Sequence, residues 1–280
     1  MPTAELPRFD ARRYLQPLRE GGSLPAVVDT GADGLFVVKF RGAGQGPKAL
    51  IAELIVGMLA AEVGLPTPEL ALIDVEPAFG RTEPDPEIQE ILKKSHGVNV
   101  GLRYLDGAFN FDPSAGREFV SRDLATRLVW FDAYVTNPDR THRNPNLLLW
   151  KREPWLIDHG AALYAHHDWR SVDEARARGS FPLIKSHVLL EESGDLVAAD
   201  AAMKRAITPA VIDSVLSRVP DALLLDSVNG GEFQSGDDAR ARYRDYLTTR
   251  LAASETFTAA AIEARDALGR EPRRRLQARR

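Results

Sequence analysis

The chain has 280 residues, 36 of them Lys or Arg and 40 Asp or Glu, for a formal net charge of −4. Such a mild acidic balance argues against a non-specific nucleic-acid binder, which carries a basic excess, and 44% hydrophobic with 27% charged residues excludes wholesale disorder. There is no cysteine, so a disulfide scaffold, a thiol nucleophile, an iron–sulfur cluster and a cysteine-based zinc site are all excluded.

The first twenty residues lack the basic start and apolar run of a signal peptide. The longest mostly apolar stretch, Leu50 to Val63, is broken by Glu53 and Glu62 and is too short to span a bilayer. These features predict a soluble cytoplasmic protein with no membrane association.

Short strands are expected first, over Arg13 to Leu18, Ala26 to Asp29 and Leu35 to Phe40. Turns at Gly21-Gly22-Ser23 and at Thr30 to Gly34 would join them into a three-stranded meander. A Gly/Gln loop, Arg41 to Gly46, leads into a helix that Pro47 opens and Gly64 stops. Leu50, Ile51, Leu54, Ile55 and Met58 form one apolar stripe of that helix, while Glu53, Gly57 and Ala60 share a small-residue face.

Another strand is expected over Leu70 to Val75. Pro77 to Glu90, with three prolines and several acids, reads as an exposed excursion, and Val98 to Leu105 resumes strand character. Helices follow over Glu118 to Tyr134, Asp195 to Ile207, Pro209 to Ser217 and Asp238 to Leu268. The order predicts an α+β fold with two lobes, a strand-rich part over 1–105 and a helical part over 106–270, ending in a basic tail at 271–280.

The densest polar cluster runs from Thr136 to Asn146, between a helix and the apolar strand Leu147 to Trp150. A turn at Lys151 to Pro154 returns the chain as Trp155-Leu156-Ile157, which ends in Asp158-His159-Gly160. Two carboxylates, Asp139 and Asp158, and an amide, Asn144, thus meet at the mouths of neighbouring strands. Phosphoryl transfer from a nucleotide needs such a set: one carboxylate for the attacking hydroxyl, a second with an amide oxygen for Mg²⁺, and a lysine for the phosphates. Hard oxygen donors suit Mg²⁺, and the single histidine of the loop argues against zinc.

Asp139-Arg-Thr-His-Arg-Asn144 with Ile157-Asp158-His-Gly160 resembles the D-R-H-x-x-N and I-D-F-G pair of phosphatidylinositol-type kinases and the loop of HipA-type serine/threonine kinases. Lys39 in Val-Val-Lys-Phe and Leu65-Pro-Thr-Pro68 after the helix also resemble HipA-like kinases. The chain departs from the pattern in two places: His159 stands for Phe, and His142 lies three residues after Asp139 instead of two. The resemblance implies a protein-kinase-like fold with ATP and Mg²⁺ as cofactors. It implies Asp139 as the catalytic-loop aspartate, Asn144 and Asp158 as metal ligands, and Asn146 as an alternative amide. It further implies Lys39 on the phosphates with Glu53 as its ion-pair partner, Gly22 and Ser23 as backbone phosphate contacts, and Arg103, Tyr104 and Leu105 as the hinge beside adenine.

The function read from these residues is transfer of the γ-phosphate to a hydroxyl, with Ser/Thr of a protein as acceptor. A small-molecule kinase of the same fold and a non-catalytic nucleotide-binding module are the alternatives. Family partnership also implies an antitoxin-like protein, and Ser23 is a candidate autophosphorylation site. His166-His167 lacks a third spaced ligand and reads as a surface pair.

Overall fold

Alternating burial and β-branched residues put the first third of the chain into strands. The structure is a computed structural model that describes residues 5–18, 24–44, 46–81, 83–227 and 231–270. The turn carrying Gly22 and Ser23 and the tail at 271–280 lie outside the described residues. Strands β1 (Arg8–Asp10), β2 (Arg13–Pro17), β3 (Ala26–Asp29), β4 (Leu35–Lys39), β5 (Leu70–Val75) and β6 (Gly97–Arg103) form one sheet in the order β1-β5-β6-β4-β3-β2. The expected meander is present as β2-β3-β4, all antiparallel. Its second turn needs glycine: Gly31 and Gly34 take φ of 85° and 91°, a region that other residues avoid. β6 pairs with β4 on one side and β5 on the other, and places Val100 opposite Lys39. β1 was not foreseen; it is three residues long and adds in parallel to the β5 edge.

Helix α1 (Gly46–Glu62) is buried on every face from Ala49 to Ala60, not on one stripe alone. The reason is its position between two layers. One side meets β5 and β6; the other meets α6 (Pro209–Ser217) and α7 (Asp221–Leu224). A helix apolar all round belongs in a core, and α1 accordingly joins the larger apolar cluster that also holds Trp130, Tyr134, Leu216 and Leu247. The opposite sheet face carries a smaller cluster of Val28, Phe36, Val38 and Ile73.

That smaller cluster corrects the reading of Pro77 to Glu90 as an exposed excursion. Residues Pro86–Lys93 form α2, whose Ile88 and Leu92 are buried against the sheet. Asp85 caps it by accepting from the Glu87 N–H, and Pro86 occupies its first turn, where a missing N–H costs nothing. The prolines and acids that suggested a loop are therefore start signals, and the Ile88/Leu92 pair at i, i+4 is its buried face.

The helical part begins with α3 (Arg122–Tyr134), capped by Ser121, whose hydroxyl accepts from Leu124 N–H. It starts four residues after Glu118, because 117–119 form a separate 3-10 turn. Trp130 and Tyr134 stack on each other and pack on Phe257. A three-stranded sheet follows in the order β7 (Phe109–Asn110), β8 (Leu147–Trp150), β9 (Glu153–Leu156). Lys151 and Arg152 both have positive φ, the conformation that a tight two-residue hairpin turn demands. The chain continues through α4 (Glu174–Ala177), α5 (Leu196–Ala206), α6 and α7. The single helix expected over 238–268 is two, α8 (Gly236–Ala252) and α9 (Ser254–Arg270), separated at Ala253. Among the described residues no helix is long and apolar enough to cross a membrane.

Candidate active site

Lys39 closes β4 with its ammonium pointing to the α1 side of the sheet. Its Nζ lies 2.6 Å from Glu53 Oε2 and 2.5 Å from Asp158 Oδ1. Glu53 is fully buried, and its Oε2 also accepts from the His159 backbone N–H at 2.8 Å. One lysine thus joins a strand, a helix and the loop after β9. Burial opposes the Lys39 charge, but the two carboxylates outweigh it and raise the ammonium above its ordinary value. Burial raises Glu53 despite the lysine. Burial also opposes the Asp158 charge, yet Lys39 wins and holds that carboxyl below its ordinary value. The difference follows exposure, since the Asp158 side chain is 37% exposed and Glu53 has no contact with solvent.

The small-residue face expected on α1 explains how the loop approaches. A Cβ built on Gly57 would stand 2.8 Å from Leu70 Cδ1 and 3.7 Å from His159 Cδ2, so the imidazole packs where a larger residue would sit. His159 takes the place of an aromatic ring and is fully buried. Burial, reinforced by Arg140, lowers it to about 3, so the ring is neutral. Asp158 itself adopts φ of 56°, a left-handed conformation that aspartate tolerates better than most side chains.

Asp139 sits half-buried on the loop before β8. Its Oδ2 accepts from Asn144 Nδ2 at 2.8 Å and from Asn146 Nδ2 at 3.1 Å, so both candidate amides hold the same carboxylate. They differ in place. Asn144 is exposed on the outer turn, where its carbonyl accepts from Thr141 N–H. Asn146 is buried, and its carbonyl accepts from Ile157 N–H, one residue before Asp158.

A buried ion pair that the sequence reading did not identify binds these loops together. Arg140 and Asp132 are both fully inaccessible, with Nε 2.6 Å from Oδ2. The guanidinium also donates to the carbonyls of Asn146 and Ile157 and lies 3.3 Å from His159 Nδ1. Asp132 accepts further from His187 Nε2 at 3.0 Å and from Asn137 Nδ2 at 3.1 Å. Burial disfavours its charge, but Arg140 and His187 hold its carboxyl far below the ordinary range. The arginine of the Asp-Arg pair was the available signal; Asp132 and His187 come from distant segments.

Of the three hinge residues, Arg103 and Tyr104 already spend their backbone N–H groups on the Glu69 and Leu35 carbonyls. Both N–H groups thus extend the sheet ladder. Leu105 is the remaining member, and among the described residues its N–H has no partner. The Arg103 side chain stacks on Phe36 and pairs with Glu69. His166 corrects a second reading, because it is fully buried with Nδ1 3.0 Å from Tyr243 Oη and so is no surface residue. Among the described residues no group of three or more His, Cys, Asp or Glu is placed to hold a metal.

A family model described as HipA-like kinase matches residues 13–221. Among solved structures, the chain is similar to the Helicobacter pylori proinflammatory kinase CtkA, with a TM-score of 0.54 and 12% identity, over 95% of this chain and 100% of that one. At that identity the likeness is one of fold. No curated protein matches the chain.

Proposed function

The chain belongs to the HipA-like kinase family, and we propose that it is an ATP- and Mg²⁺-dependent kinase that transfers the γ-phosphate to a serine or threonine hydroxyl of a protein. The observation that carries this reading is the Lys39–Glu53–Asp158 triad with Asp139 on the adjoining loop. The residues suit the cofactor. Asp158 spends Oδ1 on Lys39, and among the described residues its Oδ2 is unengaged. A carboxylate with one amide oxygen is the sparse, hard donor set that Mg²⁺ takes when nucleotide phosphates and water complete its shell. Bound with ATP, the metal neutralises charge on the transferring phosphates.

The chain's own residues have distinct tasks in this proposal. Lys39 binds phosphate oxygens, and Glu53 fixes its direction from a fully buried position. Asp139 accepts the proton of the attacking hydroxyl at Oδ1, while the two amides hold Oδ2. We assign Asn146 as the amide ligand in preference to Asn144, because its backbone is bonded to the residue preceding Asp158.

The test is transfer of label from γ-labelled ATP to the protein itself, to extract proteins and to a metabolite panel, with and without Mg²⁺. A positioned proton acceptor contributes about 10²–10⁴-fold, so Asp139→Asn is expected to lose about that much, and Asp158→Asn to lose the Mg²⁺ response. Variants that transfer phosphate as well as the wild type would remove the proposal. Label found only in metabolites would redirect it to small-molecule acceptors.

A further inference from the structure

The Asp132–Arg140 pair sits at the crossing of three chain segments, and the third is the stretch that follows the Asp158 loop. There the chain passes through a 3-10 turn at 182–186 and reaches His187, which is 4% exposed. Three contacts fix it. Val188 N–H donates to the Arg140 carbonyl at 3.0 Å, Thr141 and His187 form an isolated β-bridge, and His187 Nε2 lies 3.0 Å from Asp132 Oδ2. The Nδ1 atom accepts from Leu189 N–H at 3.0 Å. That bond leaves the ring proton on Nε2, so the neutral imidazole donates to Asp132.

A continuous set of buried hydrogen bonds then runs from this segment to the reacting groups. His187 holds Asp132; Asp132 holds Arg140; Arg140 reaches the Asn146 and Ile157 carbonyls and the His159 ring. His159 N–H holds Glu53, which holds Lys39. Partly satisfied buried networks are costly, so loss of one member propagates to its neighbours.

We propose that His187 is a positioning residue for phosphoryl transfer: it acts through Asp132 and Arg140 to dock the 181–193 segment and to fix the Asp139 and Asp158 loops relative to each other. The proposal rests on the kinase reading for its catalytic consequence only. In kinases whose activation loop is ordered by phosphorylation, a new arginine–phosphate pair does the docking. Here the arginine of the catalytic loop is fully buried and already satisfied by Asp132, so an unmodified histidine serves.

Two measurements on His187→Phe, His187→Gln and His187→Asn test this. Gln keeps a donor within reach of Asp132; Phe and Asn do not, and Asn is small enough to be accommodated if Phe prevents folding. In steady-state kinetics, Phe and Asn are expected to lower kcat at least tenfold with the KM for ATP within twofold of wild type, and Gln to recover most of the loss. In native-state hydrogen exchange, the Thr141, Ile157 and Val188 amides are expected to exchange at least tenfold faster in Phe and Asn, with α8 and α9 unchanged. Unchanged exchange at those three amides, or kcat within twofold of wild type, overturns the proposal. If the wild type transfers no phosphate, the kinase reading fails while the exchange experiment still decides whether His187 locks the loops.

Discussion

Replacing Lys39 by Met tests how charge is stored at the junction of sheet and helix. The ammonium is the one cation within 4 Å of Glu53 Oε2 and Asp158 Oδ1 among the described ion pairs. Its loss leaves two carboxylates unpaired, in unequal surroundings. Asp158 is partly exposed and remains hydrated; Glu53 is fully buried and cannot. Removing one partner of a buried pair costs about 3–5 kcal/mol where the other stays charged. Glu53 avoids that cost by taking up a proton, and its carboxyl is already raised in the wild type by burial. A group whose folded value lies above its unfolded one contributes stability below the unfolded value and loses it as pH rises through the folded value.

Lys39→Met should therefore be close to wild type near pH 4.5 and fall progressively behind it above that. At pH 8 the deficit should reach about 3–5 kcal/mol, on the order of 10 °C in melting temperature for a chain of this size. Calorimetric melts from pH 4.5 to 8.5 read this directly. The double variant Lys39→Met, Glu53→Gln should lose the added pH dependence. A deficit of equal size at pH 5 and pH 8 would show that Glu53 does not carry the charge, and would refute the reasoning.

Three further outcomes follow from packing and titration. Gly57→Ala should change stability by less than about 1 kcal/mol, because the helix propensity gained offsets the displaced tip of Leu70; Gly57→Leu should cost about 1–3 kcal/mol in urea melts by overpacking against Leu70 and His159. His159, His166 and His187 are all buried, and in each, burial lowers the ring below its ordinary value. Groups of that kind contribute stability above the unfolded value near 6.5 and lose it as pH falls, so urea midpoints should drop between pH 6.5 and 5, with net proton uptake on unfolding. Asn146→Ala should raise the Mg²⁺ concentration for half-maximal transfer at least tenfold, and Asn144→Ala less than threefold, in metal titrations of the phosphotransfer assay.

Much of this arrangement was legible in the sequence because it is local. Lys39 closes an apolar run, Glu53 recurs with Gly57 and Ala60 on one helical face, and Asp139 and Asp158 bracket a hairpin whose strands are largely apolar. Each is set by a period or a turn within about twenty residues. Asp132, Arg140 and His187 were not singled out for a different reason: the cluster joins positions 55 residues apart, and neither a buried histidine nor a buried aspartate carries a periodic signature. The engagement of the Arg103 and Tyr104 N–H groups was hidden for a similar reason, since only the pairing of β6 with its neighbours shows it. Helix α2 was hidden by composition, its prolines and acids marking a capped start instead of a loop.

The packing of α1 also explains why Glu53 can afford no exposure. In sequence the helix lies between two strands of the large sheet, yet its apolar surface is shared with α6 and α7. Ion pairs repeat that attachment at both ends: Arg41 before the helix binds Asp226, Lys48 in its first turn binds Glu232 at 2.8 Å, and Glu62 in its last binds Arg218 at 3.0 Å. The helix is therefore fixed to the helical part along its length, while Lys39 belongs to the sheet. The Lys39–Glu53 contact joins sheet to helix over a charge, and Asp158 arrives at the same ammonium from the loop after β9. A triad drawn from three separate elements forms only when sheet, helix and loop are all in place, which makes its integrity a readout of the assembled site.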